Sequence, residues 1–230
     1  CEGHVEDCAG ECDGDAVVDD CGECAGDNTS CIEPGDVHMD GVINVLDVVY
    51  MANIIIGNSI PTENEAIAAD YNGDGSINIT DVMLIILYIL NGDVVLSRTE
   101  PMNNGRIDVL SDKIQITSEG VIAGVQIHTE GDYTITNATL PTGWEYHHNN
   151  DIILLIDMVG SGNSDELALH YDGDMEIVEN ILTDWSGIEI SATINIIPDT
   201  YILESAYPNP FNPVTTVSFA LPQDGDVSLT

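Results

Sequence analysis

The chain changes its hydrophobic period along its length. Between Asp36 and Gly92, apolar residues recur at helical spacing: Val48, Met51, Ala52 and Ile55 form one stripe, and Val82, Ile85, Ile86 and Ile89 a second. Each set follows the i, i+3, i+4, i+7 rule of a helix that buries one face, so two helices are predicted, stopped by Gly57 and Gly92. From Gly105 to Ile197 the period falls to two. RIDVLS, KIQITS, VIAGVQIHTE, DYTITNATL, DIILLIDMV, ELALHY and GIEISATINI alternate or run apolar between Gly, Asn and Asp turns. That pattern predicts an antiparallel β-sandwich of about eight or nine strands. Residues 1–33 show neither period and hold few large apolar side chains, so they cannot bury a core of their own. After residue 198, Pro208, Pro210 and Pro213 exclude helix ahead of a strand from Val214 to Ala220. Two strands do not make a stable sheet, so this last unit is cut short or borrows strands from elsewhere.

Charge adds a constraint. The formal net charge is −38, from 41 acidic residues against Arg98, Arg106 and Lys113. Nucleic acid and anionic membranes are polyanions and are excluded as partners; cations are expected. Self-repulsion on this scale must be offset, either by hydrated salt over every surface or by metal held at ligand spacing. The stretch up to Asp81 fits metal, because Asp recurs there in DGD, DxD and DxNxDG strings, while later acids are scattered over solvated surface. The longest apolar run, Val82 to Leu90, is well below the roughly 20 residues of a membrane helix, so no span is expected.

The acid is most ordered in a duplication. DVHMDGVINVLD begins at Asp36, and DYNGDGSINITD repeats its pattern from Asp70. An EF-hand loop places ligands at positions 1, 3, 5, 7, 9 and 12 with Gly at 6, because a hard cation needs several oxygens that only a folded-back loop delivers. The second copy supplies Asp70, Asn72, Asp74, the carbonyl of Ser76, Asn78 and Asp81, with Gly75 at the turn. The first supplies Asp36, His38, Asp40, the carbonyl of Val42, Asn44 and Asp47, with Gly41 at the turn. Nitrogen suits calcium poorly, so water would fill the His38 position and weaken that site. The competing reading of either loop is an Asx-rich turn that binds nothing.

Asp closes both loops at position 12, and the incoming helices of ordinary EF-hands are missing. In this, residues 36–92 resemble a dockerin, the module that plugs into cohesin receptors. The resemblance implies at least two calcium ions and partner contacts from loop positions 10 and 11, here Val45, Leu46, Ile79 and Thr80. These depart from the Ser/Thr pair of the best-known type. Tyr50, Ile54, Leu84, Leu87 and Tyr88 lie on the outer helix faces, to be buried against the chain's own sandwich or against another molecule.

All six cysteines, Cys1, Cys8, Cys12, Cys21, Cys24 and Cys31, cluster at the N-terminal end, which reads as disulfides formed in an oxidising compartment. Zinc held by Cys8, Cys12, Cys21 and Cys24 is the rival. The string DCAGECDGDAVVDDCGECAGDNTSC loosely resembles thrombospondin type 3 repeats, which implies calcium ligands among Asp13, Asp15, Asp19 and Asp20. GVIAGVQIHTE and the strand order resemble a cohesin-type or carbohydrate-binding-type sandwich. A plug and a socket on one chain make a heterologous contact, which propagates into filaments. YPNPFNPVTTVSFALP is similar to the start of the C-terminal sorting domain of type IX secretion substrates, which implies export and surface attachment or release.

No GxSxG, HExxH, P-loop or dinucleotide fingerprint is present. His147 and His148 read as a polar loop, and the adjacent Asp165 and Glu166 would point to opposite faces of a strand. Trp144, Tyr146 and Trp185 are core aromatics or a sugar platform. The expected fold is mainly β with a small α module: a disulfide and calcium-stapled segment (1–33), a two-helix dockerin-like EF-hand pair (34–97), a linker (98–104), a cohesin-like sandwich (105–198) and the start of a second sandwich (199–230). The expected function is a non-enzymatic, extracellular, calcium-binding subunit that associates head to tail in a homo-oligomer or filament. The alternative is a carbohydrate-binding or enzyme-docking module of a polysaccharide-degrading complex, with a cohesin-like or glycan partner.

Overall fold

Three helices precede Gly92 in the computed structural model: α1 (Val45–Ile55), α2 (Glu63–Ala69) and α3 (Ile79–Asn91). Asn44 and Asn78 cap α1 and α3, and Asp47 and Asp81 return to the backbone N–H of those caps, so each loop copy ends by nucleating its helix. The predicted stripes are buried at Val48, Met51, Ala52 and Ile55 on α1 and at Val82, Ile85 and Ile86 on α3, while Ile89 is half-buried. α2 adds a helix to the expected pair. Its start is a capping box, with Glu65 N–H donating to Thr62 Oγ1 and Thr62 N–H to Glu65 Oε2. At seven residues, burying only Ala68 and Ala69, it is too short to show an apolar stripe.

The structure describes residues 5–19, 21–26, 29–92, 104–149, 151–160, 167–210, 213–222 and 227–228. Cys1, Asp20, Asp165, Glu166 and the linker residues Arg98, Glu100, Pro101 and Asn103 lie outside them. The chain divides into two units, Cys1–Val95 and Leu96–Thr230.

Ahead of the helices, the first unit contains a short repeat that the hydrophobic pattern does not reveal. The bridge Glu6↔Cys12 recurs as Val18↔Cys24, and the bond from Asp7 N–H to Glu11 O recurs from Asp19 N–H to Glu23 O. The Asp7 carboxylate accepts from Ala9, Glu11 and Ala16 N–H, and Asp19 accepts from Glu23 N–H. A Cβ on Gly14 or Gly26 would overlap the carboxylate of Asp7 or Asp19, which fixes glycine at both places. Disulfides Cys8–Cys24 and Cys21–Cys31 cross-link this segment and Cys12 is also disulfide-bonded, so the zinc alternative is overturned.

The second unit is built on nine strands: β1 (Asn104–Val109), β2 (Lys113–Ser118), β3 (Gly124–Glu130), β4 (Tyr133–Thr139), β5 (Trp144–His148), β6 (Ile152–Asp157), β7 (Leu167–Gly173), β8 (Glu176–Thr183) and β9 (Glu189–Ile196). They run in the order β4-β7-β2-β1-β9-β8-β3-β6-β5. Pairings are antiparallel except β1 with β9, which is parallel. Ile107, Ile114, Ile116 and Leu169 from one side meet Val125, Ile127, Ile153 and Leu155 from the other in a fully buried core.

Two strands depart from the sequence expectation. β5 places His147 and His148 in a strand rather than a loop, while Trp144 and Tyr146 pack with the core, not on a sugar platform. β8 is hidden in the sequence by a bulge opposite His128 and Thr129 that breaks its alternation. Beyond the sandwich, β10 (Ile202–Leu203) and β11 (Phe219–Ala220) form a two-stranded sheet.

Along β9, side chains at 190, 192, 194 and 196 share the inward face, yet Ile190 is 3% exposed and Ile196 82% exposed. Ile190→Ala should therefore cost about 2–4 kcal/mol of sandwich stability and Ile196→Ala under about 0.5 kcal/mol, measured by denaturant unfolding of the two variants.

Candidate metal centre and docking face

The two loops repeat one hydrogen-bond scheme. In the second, Asp70 accepts from Asp74 N–H (3.0 Å) and Gly75 N–H (2.9 Å), Asp74 from Ser76 N–H (2.8 Å), and Asp81 from Asn72 N–H (3.1 Å) and Asn78 N–H (3.0 Å). In the first, Asp36 accepts from Asp40 N–H (3.1 Å) and Gly41 N–H (2.8 Å), Asp40 from Val42 N–H (3.0 Å), and Asp47 from His38 N–H (2.9 Å) and Asn44 N–H (2.8 Å). Gly41 and Gly75 take φ values of 85° and 90°, the left-handed turn that position 6 requires. Asp36, Asp47, Asp70 and Asp81 each accept two backbone bonds and Asp40 and Asp74 one, and all keep further lone pairs for a cation.

Position 3 separates the copies. Asn72 Oδ1 accepts a second bond from Asp74 N–H at 2.8 Å, whereas His38 offers no oxygen. Its ring instead meets the Tyr50 ring edge-on at 5.7 Å, and its Nδ1 lies 3.6 Å from Asp40 Oδ2.

Asp47 and Asp81 are fully buried. Burial pushes the Asp81 carboxyl up to about 6, with Asp74 and Asp70 adding like-charge repulsion against the lowering effect of Asn78 and Asn72 N–H groups. No Lys or Arg precedes Arg98 in the chain, so no basic side chain of this module neutralises these acids. A buried carboxylate crowded by two others with no basic side chain of the module to offset them fits a hard divalent cation. Among the described residues, no three His, Cys, Asp or Glu side chains form a ready-made metal group; the loop's donor set counts Asn and main-chain oxygens as well.

Asp13 and Asp15 are exposed, and Asp19 holds Glu23 N–H. The residue that composition did not single out is Asp7, whose carboxyl is held below its ordinary range chiefly by Glu11 N–H.

The expected docking residues do not form one face. Val45 and Leu46 are about half exposed, with Val49 beside them, while their counterparts Ile79 and Thr80, and also Leu84, are buried. α3 is apolar on nearly every side and buries every residue from Ile79 to Ile86, so these three are corrected from surface to interior. Tyr50 and Ile54 are partly buried, Tyr50 donating to Glu65 Oε1 at 3.0 Å, and Leu87 and Tyr88 are also intermediate.

The duplicated loops, their capped helices and the closing Asp residues agree with a comparison against protein families. Residues 34–90 match the dockerin type I domain. Such domains bind calcium in general. No curated protein matches the chain. Among solved structures, the chain is similar to one from a type I cohesin–dockerin complex of Clostridium thermocellum (TM-score 0.31, 11% identity, 44% of this chain and 97% of that one). It is also similar to a non-cellulosomal cohesin of Archaeoglobus fulgidus (TM-score 0.29, 10% identity, 42% and 87%). A third is from a type II cohesin–X-dockerin complex of Acetivibrio cellulolyticus (TM-score 0.27, 12% identity, 41% and 95%).

A raised carboxyl pKa stabilises the fold below the unfolded value near 4 and loses that contribution as pH rises through about 6. With calcium chelated, the dockerin module should thus lose on the order of 3 kcal/mol between pH 4 and pH 7 from Asp81. Asp81→Asn should flatten that dependence and raise the chelated melting temperature at pH 7, while abolishing most of the calcium-induced rise. Calorimetry at both pH values checks both signs.

Proposed function

We propose that this chain is an extracellular, calcium-dependent assembly subunit, whose dockerin module and β-sandwich make the contacts that join one copy to the next. The observation that carries the reading is the dockerin match together with the exposed apolar start of α1, where Val45 and Leu46 hold the two loop positions that follow the last side-chain ligand before the closing Asp. Calcium has two roles. It fills the oxygen rings of Asp36–Asp47 and Asp70–Asp81, and it lowers the repulsion between chains that each carry a formal charge of −38.

Several features support an extracellular setting and a non-catalytic role. The N-terminal disulfides fit an oxidising compartment. The YPNPFNPVTTVSFALP segment fits export by the type IX route. On β5, His148 stacks on Tyr146 and His147 neighbours Glu145, so both rings have structural contacts. A second reading, docking to a cohesin carried by a different protein of a polysaccharide-degrading complex, draws on the same dockerin match.

Light scattering and negative-stain microscopy of the full chain test the first reading. In millimolar calcium the chain should form species larger than a monomer that revert with chelator, and Leu46→Asp should weaken association at least tenfold without changing the circular dichroism spectrum. A chain that stays monomeric in calcium at all accessible concentrations contradicts self-association and leaves docking to a different protein.

A further inference from the structure

The sandwich is open along one side. β9 pairs with β8 only at Leu182↔Ile190 and Thr183↔Glu189; from Ser191 onward it pairs with β1 alone, and β8 from Glu176 to Ile181 pairs with β3 alone. Among the described residues, the facing edges of β8 and β9 therefore carry backbone groups without partners. Between them lies a groove of about 540 Å³ with Val109, Tyr171, Met175, Ile177, Ile194 and Ile196 in its lining. Its apolar floor is uncovered core: the inward face of β9 rises from 3% exposed at Ile190 to 37% at Ile194 and 82% at Ile196. Unpaired strand edges beside exposed apolar side chains are a template for another strand.

The chain holds a candidate donor. The strand expected over 214–220 is regular only at Phe219–Ala220, paired through Ile202↔Ala220 and Leu203↔Phe219, with an isolated bridge Tyr207↔Thr216 before it. The opposite edge, with the backbone groups of Val217 and Phe219, is unpaired among the described residues. Val217 and Phe219 are exposed and alternate with Thr216 and Ser218, the pattern of a strand that buries one face. Two strands joined by so short a ladder are not stable alone.

Charge selects among donors. Asp174, Glu176 and Asp199 stand at the groove, so an acidic strand is repelled. The stretch between Glu204 and Asp224 has no charged side chain and is the longest such run in the chain. Within its own chain this tail leaves the groove at residue 199, held by Ile197 N–H to Val109 O and by Ser111 Oγ to Asp199 Oδ1 (2.6 Å), and folds into its own hairpin. We infer that the β8–β9 groove accepts residues 214–220 of a second copy of this chain, added as a strand along β9. The inference rests on the self-association reading and names its contact. Groove and tail are different surfaces, so the contact is heterologous and propagates from copy to copy.

The test uses the full chain in millimolar calcium with two variants, Ile196→Asp in the groove and Phe219→Asp in the tail, both at exposed positions. Wild type should assemble beyond a dimer by light scattering, each variant alone should associate at least tenfold more weakly, and their equimolar mixture should associate more strongly than either variant alone, since one productive groove and tail remain. As a second measurement, Ile196→Cys mixed with Phe219→Cys should give disulfide-linked heterodimers under mild oxidation. Assembly of both Asp variants like wild type overturns strand addition while self-association stands. Loss on Ile196→Asp with none on Phe219→Asp overturns the named donor. A monomeric wild type removes the self-association reading and this inference with it.

Discussion

Carboxylate charge without internal counter-charge is the constraint on which this molecule is organised. With 41 acids and three basic side chains, ion pairs within the chain can neutralise only a small share; Arg106 pairs with Asp108 at 2.7 Å, partly exposed and worth little. The fold instead turns acids onto backbone N–H groups. Asp7 does this in the N-terminal coils, and Asp36, Asp47, Asp70 and Asp81 do it in the loops. Each such bond orders a turn and fixes the oxygens in place. Where several acids converge and become buried, as at Asp81, backbone bonding does not hold the carboxyl at its ordinary value, and the surrounding donors fit a divalent ion.

Periodic features of the fold were the legible ones. The α1 and α3 stripes, the duplicated loops and seven of the nine sandwich strands follow from apolar spacing and from glycine at position 6 of each loop. What was not legible lacks a period or depends on distant neighbours. α2 is shorter than the window that shows a stripe, although its Thr62–Glu65 capping box is visible in the sequence. β8 loses its alternation at a bulge, and β5 carries polar residues because it is an edge strand. The N-terminal repeat rests on Asp, Gly and turn geometry, with Cys12 and Cys24 at matching places, so no apolar count reveals it. The candidate site divides in the same way. Its ligands are set by local spacing, but the same local pattern leaves Val45 and Leu46 exposed and buries Ile79 and Thr80, a difference decided by tertiary packing.

The two units leave different apolar surfaces uncovered. The first supplies a dockerin module with one exposed apolar helix start. The second supplies a sandwich whose core is complete at Ile190 and open at Ile196, and a tail with no charged side chain between Glu204 and Asp224.

Hydrogen exchange of the full chain, compared in calcium and in chelator at pH 7, bears most directly on the role of metal. Protection of α1 and α3 amides should fall by orders of magnitude on chelation, while β1 to β3 and β6 to β9 exchange unchanged. Equal protection of α1 and α3 in both conditions would show that buried hydrocarbon alone holds the module, and would contradict the account.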